Sequence, residues 1–557
     1  MKASDYIVSF LSEKGIHTVF GYIGGMITHL VDSLGNSPNI NFVQTYHEQT
    51  AAMAAEGYAI ESGKFGVAIA TSGPGATNMI TGIADAYFGN IPVLYITGQV
   101  NTNEYKHNKP IRQQGFQETD VVSIVKPITK YAVMIDNIEN LCYELEKALY
   151  IATEGRKGPV LLDLPMNISR AEMNPEKMKH FTPPKMEEEN LNFTDVIQAT
   201  ENSTHPMVLI GGGCKGSETL IEKFIHTNNL PFVTSLMGKG ILDEYQTNYM
   251  GMIGSYGNRC ANMALERVDL LLALGTRLDT RQTGTNLESF ISKGKIIHVD
   301  IDSYELDHHR LTNRIPVHIN VEKFINQLTE RKIIFKQENN WHQWLHNLKK
   351  KYNQIEEIQH FVQNKSPYTF INQLNEIIKE GDVVTTDVGQ NQMWAAQTLK
   401  IRPKQKFITS GGLAPMGFSL PVAIGVAFAN PAKTIYCLNG DGGLHMAIQS
   451  LLLISQYNLN IKVIVLNNSS LGMITQFQNL YFENRMYGTI DKGGYSTPSL
   501  EAIAKAYNIP YIKMDENNID CSVFNKYKYC LLDYVVDGLT TVSPKLEVNK
   551  PIYQPSP

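Results

Sequence analysis

The stretch TIYCLNGDGGLHMAIQSLLLISQYNLNIKVIVLNNSSLGM, residues 434–473, decides the fold of this chain. Two apolar runs, residues 434–438 and 461–466, flank a segment whose apolar residues recur at helical spacing. This order predicts a strand, a helix and a second strand. Because crossovers between parallel strands are right-handed, both strands should end at the same edge of one sheet, where open α/β sheets bind ligands.

Polar residues follow both predicted strands. Asp441 lies within a glycine-rich turn after the first strand, and Asn468 follows the second. We therefore expect the two side chains to face one another. A carboxylate, an amide oxygen and a nearby backbone carbonyl suit Mg²⁺, which takes further ligands from water and phosphates. The glycines and the following helix N-terminus would accommodate a diphosphate. The alternative is that GDGG is only a turn and NNSS only a helix cap.

Composition limits the function classes. A chain of 557 residues is too long for one core, which predicts several domains. The net charge of −5 provides no basic surface, so we expect neither nucleic acid nor membrane as a partner. The six cysteines have no CxxC spacing and are interpreted as reduced thiols. The N-terminus is unlike a signal peptide, and no apolar run approaches about 18 residues, so a cytoplasmic protein is expected.

Short apolar runs alternate with helical segments between residues 17 and 100, and the same alternation returns in two later parts of the chain. This alternation is typical of parallel sheets covered by helices on both faces. Charged, irregular segments at 171–190 and 325–365 are interpreted as connectors, the second as a charged helix. The predicted units are an N-terminal domain 1–170, a central domain 190–330, a C-terminal domain 366–540 and a Pro-rich tail 541–557. The tail should be irregular, and either caps a site or extends into solvent.

Glu48 is the candidate functional carboxylate of the N-terminal domain. It follows a predicted strand and precedes a helix of small residues. A carboxyl shielded from water can keep its proton at neutral pH and donate it to a ring nitrogen. The alternative is an acidic residue in a first helical turn, stabilised by the helix dipole. The residues alone favour the second interpretation.

The GDG motif and the paired asparagines, with Asp441 and Asn468 separated by 27 positions, resemble the signature of thiamine diphosphate enzymes. From about residue 1 to 545 the chain resembles the acetolactate (acetohydroxyacid) synthase large-subunit group. The resemblance implies an α/β fold of three doubly wound parallel-sheet domains: pyrimidine-binding, central and diphosphate-binding. It also implies decarboxylation of pyruvate on thiamine diphosphate and ligation of the remaining unit to a second 2-keto acid. In this family active sites lie between subunits, so a homodimer or homotetramer is expected.

The resemblance assigns roles to individual residues. Glu48, in HEQTAAMAAEGYA, would activate the cofactor, and Met416, 25 positions before Asp441, would hold its bent conformation. Mg²⁺ would be bound by Asp441, Asn468 and the Ser470 carbonyl. The second substrate would meet Phe116, Gln117 and Arg281, which on their own would be interpreted as a loop and a surface arginine. Further contacts to thiamine diphosphate are implied for Tyr22, Thr71, Pro74, Asn78, Val388, Gly389, Gln390, Asn391, Ala414, Gly440, Gly442, Gly443, Leu471, Gly472 and Met473.

The central domain of this group holds FAD, which takes no net redox part in the carboligation. A glycine turn after a strand, at residues 211–213, is by itself only a weak dinucleotide signal. The resemblance nevertheless implies FAD as a possible cofactor. The residues implied are Arg156, Gly212, Ser235, Leu236, Arg277 and Asp300.

Several positions depart from the pattern of the biosynthetic synthases. Phe477 stands where the family has tryptophan, Met26 replaces alanine, Met166 replaces lysine and Ile253 replaces histidine. These changes weigh against 2-ketobutyrate as the acceptor. RLDTRQTG (277–284) and the tail resemble a branch that transfers an acetyl unit to a keto sugar, which is the main alternative. A pyruvate oxidase-like enzyme and a non-catalytic binding subunit are further alternatives.

Overall fold

The computed structural model describes residues 1–184, 193–360, 362 and 364–556. Within these residues the chain forms three six-stranded sheets, and every strand pairing in them is parallel. Helices cover the sheets on both faces. The predicted class, three doubly wound α/β domains, is confirmed.

The N-terminal sheet contains the first run of alternating strands and helices. Its strands are β1 (Thr18–Tyr22), β2 (Asn41–Gln44), β3 (Gly66–Ala70), β4 (Val93–Gln99), β5 (Tyr131–Met134) and β6 (Val160–Pro165). Its helices are α1 (Ala3–Glu13), α2 (Thr28–Gly35), α3 (Glu48–Ser62), α4 (Pro74–Asn78), α5 (Ile80–Gly89), α6 (Val121–Val125), α7 (Leu141–Thr153) and α8 (Met166–Ser169). The strand order is β2-β1-β3-β4-β6-β5. All residues of β3, β4 and β6 are buried, because helices cover both faces.

The central sheet has the strand order β12-β11-β10-β7-β8-β9. The strands are β7 (Pro206–Ile210), β8 (Phe232–Thr234), β9 (Tyr249–Met252), β10 (Leu270–Leu274), β11 (Lys295–Asp300) and β12 (Arg314–His318). The helices are α9 (Thr194–Asn202), α10 (Glu218–Thr227), α11 (Arg259–Ala264), α12 (Thr280–Thr283), α13 (Ser303–Asp307), α14 (Val321–Glu330), α15 (Trp341–Lys351) and α16 (Gln354–His360).

The C-terminal sheet contains residues 434–473, which were predicted to form a strand, a helix and a second strand. Its strands are β13 (Val383–Thr386), β14 (Lys406–Ile408), β15 (Ile435–Gly440), β16 (Ile461–Asn467), β17 (Tyr511–Met514) and β18 (Cys530–Val535). Its helices are α17 (Ser366–Ile377), α18 (Gln390–Thr398), α19 (Ser419–Ala429), α20 (Asp441–Met446), α21 (Leu451–Gln456), α22 (Gly472–Tyr481) and α23 (Leu500–Ala506). The order is β14-β13-β15-β16-β18-β17, so β15 and β16 are direct parallel neighbours, as predicted. The single helix predicted between them is instead two short helices, α20 and α21.

Helices α3 and α19 join the N-terminal and C-terminal domains. A Cβ atom on Gly57 would overlap the carbonyl of Val422, and one on Gly425 would overlap the carbonyl of Ala54. The two helices therefore pack backbone against backbone, which only glycine permits at these positions. Their buried residues belong to one continuous hydrophobic core.

The segment 325–365 is not the single charged helix that its composition suggested. It contains the end of α14 and two separate helices, α15 and α16. Trp341 at the start of α15 is fully buried, and its indole N–H donates to the Pro206 carbonyl at 3.2 Å. This packing on the central domain explains why the segment is broken into pieces.

The predicted tail and the predicted linker also differ from expectation. The tail, up to residue 556, packs on the central domain: Leu546 and Ile552 are buried, and the Leu546 amide donates to the Ser255 carbonyl at 2.7 Å. In the predicted linker 171–190 a short 3-10 helix forms at Pro175–Lys177, and the part from residue 185 lies outside the described residues. None of the helices in the described parts of the chain has the length and apolar character needed to cross a bilayer.

Candidate active site

Asp441, Asn468 and Ser470 lie together at the edge of the C-terminal sheet, because β15 and β16 are parallel neighbours that end there. All three are buried. The Asp441 carboxylate accepts a hydrogen bond from the Tyr495 hydroxyl at 3.2 Å. The Ser470 backbone amide faces both partners: it donates to Asn468 Oδ1 at 3.2 Å and stabilises the charged form of Asp441. Burial nevertheless raises the pKa of Asp441 to about 6.

These oxygens fit a hard cation such as Mg²⁺. No group of three or more His, Cys, Asp or Glu residues in the described part of the chain could hold a metal ion. A cation at this edge would therefore depend on amide and backbone oxygens in addition to the Asp441 carboxylate. The Asn468 side chain is oriented for such a role, because its Nδ2 donates to Gln390 Oε1 at 3.0 Å and leaves Oδ1 facing the Ser470 turn.

Three glycines, Gly442, Gly443 and Gly472, pack closely against the residues of this group. A Cβ atom on Gly442 would lie 2.6 Å from Leu471 Cδ2, 2.9 Å from Tyr495 Oη and 3.3 Å from Met416 Cε. The structure thus brings Met416 and Leu471 to the GDG turn. Larger residues would also collide at Gly443, with the Asp387 carboxylate, and at Gly472, with Gln390 and Asn468.

The Asn391 side chain leaves a polar atom unpaired at this edge. Its Oδ1 is buried and has no hydrogen-bond partner among the described residues. The Asn391 Nδ2 lies close to Gly389 and Gly440, 3.1 and 3.5 Å from where their Cβ atoms would be. Since buried polar atoms are rarely left unpaired, a bound group with donors would satisfy this oxygen. Val388 and Met473 flank the same strand and helix ends.

Asp387 and Tyr495 belong to this cluster, although the sequence analysis assigned them no role. Asp387 accepts hydrogen bonds from the backbone amides of Gly417 at 3.2 Å and Phe418 at 2.9 Å, and so fixes the turn that follows Met416. Tyr495 holds the Asp441 carboxylate. Asp387 had a visible signal, a carboxylate at a strand end, whereas Tyr495 had none.

A second cluster forms around Glu48 in the N-terminal domain. Glu48 is 6% exposed at the start of α3, and its Oε2 accepts a hydrogen bond from Asn78 Nδ2 at 2.9 Å. Gly75, next to Pro74 at the start of α4, lies close to Glu48. A Cβ atom on Gly75 would be 3.2 Å from Glu48 Oε1. The Thr71 side chain lies beside the same Gly75.

Gln117 and Phe116 differ in how they are placed. Gln117 has a φ of +63° and lies against Gly73. Its carbonyl oxygen would be 3.0 Å from a Cβ atom on Gly73. Phe116 is 79% exposed and Tyr22, at the end of β1, is 38% exposed. In the described residues no hydrogen bond connects the Glu48 cluster to the Asp441 cluster of the same chain.

The residues predicted to contact FAD line a third region, a cavity of about 940 Å³ bounded by all three domains. Arg156 spans its wall, with Nη2 2.8 Å from Asp300 Oδ1 and Nε 3.0 Å from Asp302 Oδ2. The residues that line the cavity include Arg156, Gly212, Ser235, Leu236, Arg277, Arg281 and Asp300. The volume lies within the range of cofactor pockets.

Arg281, predicted to meet the second substrate, lies in the wall of this cavity. Its guanidinium carbon is 5.8 Å from the centre of the Tyr256 ring, and Nη2 is 4.0 Å from Met393 Sδ. Met393 lies one helical turn from Gln390 in α18. Arg281 is therefore placed between the cavity and the Asp441 cluster.

Three family models match the chain: the N-terminal and C-terminal TPP binding domains of thiamine pyrophosphate enzymes, over residues 1–124 and 387–522, and their central domain, over 193–328. Thiamine pyrophosphate is thiamine diphosphate under another name. The chain belongs to the thiamine pyrophosphate enzyme family.

Within that family, the chain is similar to acetolactate synthases. It is 35% identical to the acetolactate synthase large subunit of Lactococcus lactis over 98% of this chain and 94% of that protein. It is 35% identical to a probable acetolactate synthase large subunit of Methanocaldococcus jannaschii, over 96% and 92% of the two chains. It is 36% identical to the chloroplastic acetolactate synthase of Arabidopsis thaliana, over 86% and 72%. The predicted family is confirmed, whereas the roles of individual residues remain predictions.

Proposed function

We propose that this protein is a thiamine diphosphate- and Mg²⁺-dependent carboligase that forms acetolactate from pyruvate. The observation that carries the proposal is the similarity to acetolactate synthases over nearly the whole chain, with 35% identity to the Lactococcus lactis protein. The Glu48 and Asp441 clusters hold residues assigned to the cofactor, and Glu48, Asp441 and Asn468 themselves are buried.

The C-terminal cluster would hold the diphosphate end of the cofactor. Asp441, Asn468 and the Ser470 carbonyl would bind Mg²⁺, and backbone amides of the glycine-rich turn would donate to phosphate oxygens beside them. The Tyr495 hydroxyl fixes the Asp441 carboxylate. Met416, against Gly442, would support the bend that brings the reacting groups together.

The N-terminal cluster would act on a proton. Thiamine diphosphate, when bound, supplies a carbon nucleophile and accepts the electrons released as CO₂ leaves. Glu48 is shielded by the small residues of α3, and Asn78 fixes the direction of its carboxyl. Since Asn78 occupies Oε2, Oε1 is the atom through which Glu48 would exchange a proton with a ring nitrogen of the cofactor. Arg281, with its planar fork of donors, suits the carboxylate of a second keto acid.

We also propose that a second copy of the chain completes each site, in a homodimer or homotetramer. The absence of hydrogen bonds between the two clusters in the described part of one chain supports this, as does the 79% exposure of Phe116. The domain bounds 1–170, 190–330 and 366–540 and a cytoplasmic location complete the proposal. The location is supported by the six cysteines, all of which are free and buried.

FAD is proposed as a bound, non-redox cofactor of the central cavity. The support is that all six residues assigned to FAD line one cavity of about 940 Å³, and that Arg156 and Asp300 are paired across its wall. Flavin absorbance of the purified protein tests this directly. Protein that carries no flavin and gains none on incubation with FAD would contradict it.

A different acceptor is the second candidate. Phe477, in place of the family's tryptophan, is 47% exposed and packs on Tyr481 with ring centres 4.7 Å apart. A smaller ring at this place leaves room for a larger acceptor, such as a keto sugar. The alternative thus concerns the second substrate and keeps the first half of the reaction.

Product analysis tests the proposal. Purified protein is incubated with pyruvate, thiamine diphosphate and Mg²⁺, alongside Glu48→Gln. Acetolactate formed by the wild type and lost in the variant would support the synthase. Product that forms only after another carbonyl compound is added would select the other carboligase, peroxide would indicate an oxidase, and no turnover would leave a binding subunit.

A further inference from the structure

The loop of residues 410–417 carries Met416 and is held at the junction of the three domains. A Cβ atom on Gly411 would lie 2.6 Å from Met237 Sδ of the central domain, and one on Gly412 would lie 2.6 Å from Phe88 Cβ of α5. Ala414 has a φ of +60°, in the left-handed region that costs free energy for a residue with a Cβ. The loop therefore needs hydrogen bonds that fix this conformation.

Ser410 provides them. Its hydroxyl donates to Asp85 Oδ1 at 2.5 Å and accepts from the backbone amide of Ala414 at 3.0 Å. Its carbonyl accepts from Gln392 Nε2 at 2.7 Å. Ser410 and Asp85 are both buried. One hydroxyl thus connects α5 of the N-terminal domain to the strained residue of the loop.

Asp85 does not stand alone. The Glu56 carboxyl, which is fully buried on α3, faces Asp85, and its oxygens have no other hydrogen-bond partner among the described residues. The buried hydroxyl of Tyr95, on β4, faces both carboxyls. Burial raises the pKa of Asp85 to about 6 and that of Glu56 well above its usual range. Burial thus favours the protonated forms of both carboxyls, while Asp85 Oδ1 accepts from Ser410.

We propose that Asp85 and Ser410 are positioning residues for thiamine diphosphate. Their hydrogen bond ties the 410–417 loop to the N-terminal domain of the same chain and so fixes Met416 against Gly442. The inference rests on the proposed function, since it takes thiamine diphosphate as the ligand of the Asp441 cluster. Neither Asp85 nor Ser410 needs to touch the cofactor.

The test compares Ser410→Ala, Asp85→Ala and Asp85→Asn with the wild type. Two quantities are measured without pyruvate: the affinity for thiamine diphosphate in the presence of Mg²⁺, by calorimetry, and hydrogen–deuterium exchange over residues 411–417. Ser410→Ala and Asp85→Ala should weaken binding about tenfold and speed exchange in the loop. Asp85→Asn should retain near wild-type affinity, because its amide oxygen can accept from Ser410 while its NH₂ can donate to the Glu56 carboxyl.

Ser203→Ala is the matched control. The Ser203 hydroxyl likewise donates to a carboxylate, Asp269, at 2.6 Å, but this bond is only partly buried and lies in the central domain. Affinity and loop exchange should not change in this variant. The double variant Asp85→Ala/Ser410→Ala should bind no more weakly than Ser410→Ala, because both changes remove one bond.

Wild-type affinity in Ser410→Ala would overturn the proposal, even with faster exchange, because the bond would then be only structural. If Asp85→Ala does not fold, Ser410→Ala and Asp85→Asn still decide the outcome. Failure of the wild type itself to bind thiamine diphosphate would overturn the proposed function, and the two failures are therefore distinguishable.

Discussion

Asp163 should make the stability of the protein fall as pH rises. It lies on β6 with 1% of its side chain exposed, and its carboxyl accepts from Thr97 Oγ1 at 2.7 Å and Gln99 Nε2 at 2.9 Å. These bonds lower the pKa of the carboxyl, but burial outweighs them and raises it from 3.8 to about 7. A carboxyl with a raised pKa in the folded state contributes its full stability below pH 3.8 and loses it as pH rises to 7.

The size of the effect follows from the shift. A change from 3.8 to about 7 corresponds to about 4 kcal/mol of unfolding free energy lost between pH 4 and pH 7.5. Asp163→Asn removes the titration. Its amide oxygen can still accept from Gln99, while Thr97 must rotate its hydroxyl to accept from the new NH₂, which costs about 1 kcal/mol. The variant should be slightly less stable than the wild type at pH 4 and more stable by about 3 kcal/mol at pH 8.

Chemical denaturation from pH 4 to pH 8 measures this difference. Unfolding is monitored with a probe in the N-terminal domain, because three domains need not unfold together. The expected result is a pair of stability curves that cross between pH 4 and pH 7. Parallel curves for wild type and variant over this range would refute the assignment of the raised pKa to Asp163.

Two further predictions concern the site. Gly443→Ala should weaken binding of thiamine diphosphate with Mg²⁺ by tenfold or more in calorimetry, because its methyl group would collide with the Asp387 carboxylate. Gly35→Ala, with open space around it in α2, is the control and should bind normally, and equal affinities for both variants would contradict the crowding argument. Glu48→Gln and Asp441→Asn should each be inactive alone, yet mixed and reassociated subunits should recover about a quarter of wild-type acetolactate formation, since half the random dimers hold one intact site. No recovery in mixtures proven to exchange subunits would place both clusters of each site in one chain.

The sequence predicted those parts of the site that follow from strand order. Asp441 and Asn468 end two apolar runs, so parallel pairing alone brings them to one edge. Tyr495 could not be predicted in this way, because it reaches Asp441 from a loop 54 positions away whose path depends on tertiary packing. Strand β12 shows no continuous apolar run in the sequence, because Arg314, Pro316 and His318 interrupt it at the edge of the sheet. The helix assigned to 325–365 was wrong since burial of Trp341, not charge periodicity, decides where α15 begins.

Helix α3 links the two halves of the proposed machinery. Its first residue, Glu48, faces the N-terminal cluster, and two turns later Glu56 supports Asp85 and the loop that carries Met416. Directly after Glu56, the helix packs on α19 without an intervening side chain at Gly57. If a second subunit completes each site, Glu48 serves one site while Glu56 supports the Met416 loop of the other. Any displacement of α3 would then be felt at both sites, which gives the glycine contact with α19 a functional as well as a structural consequence.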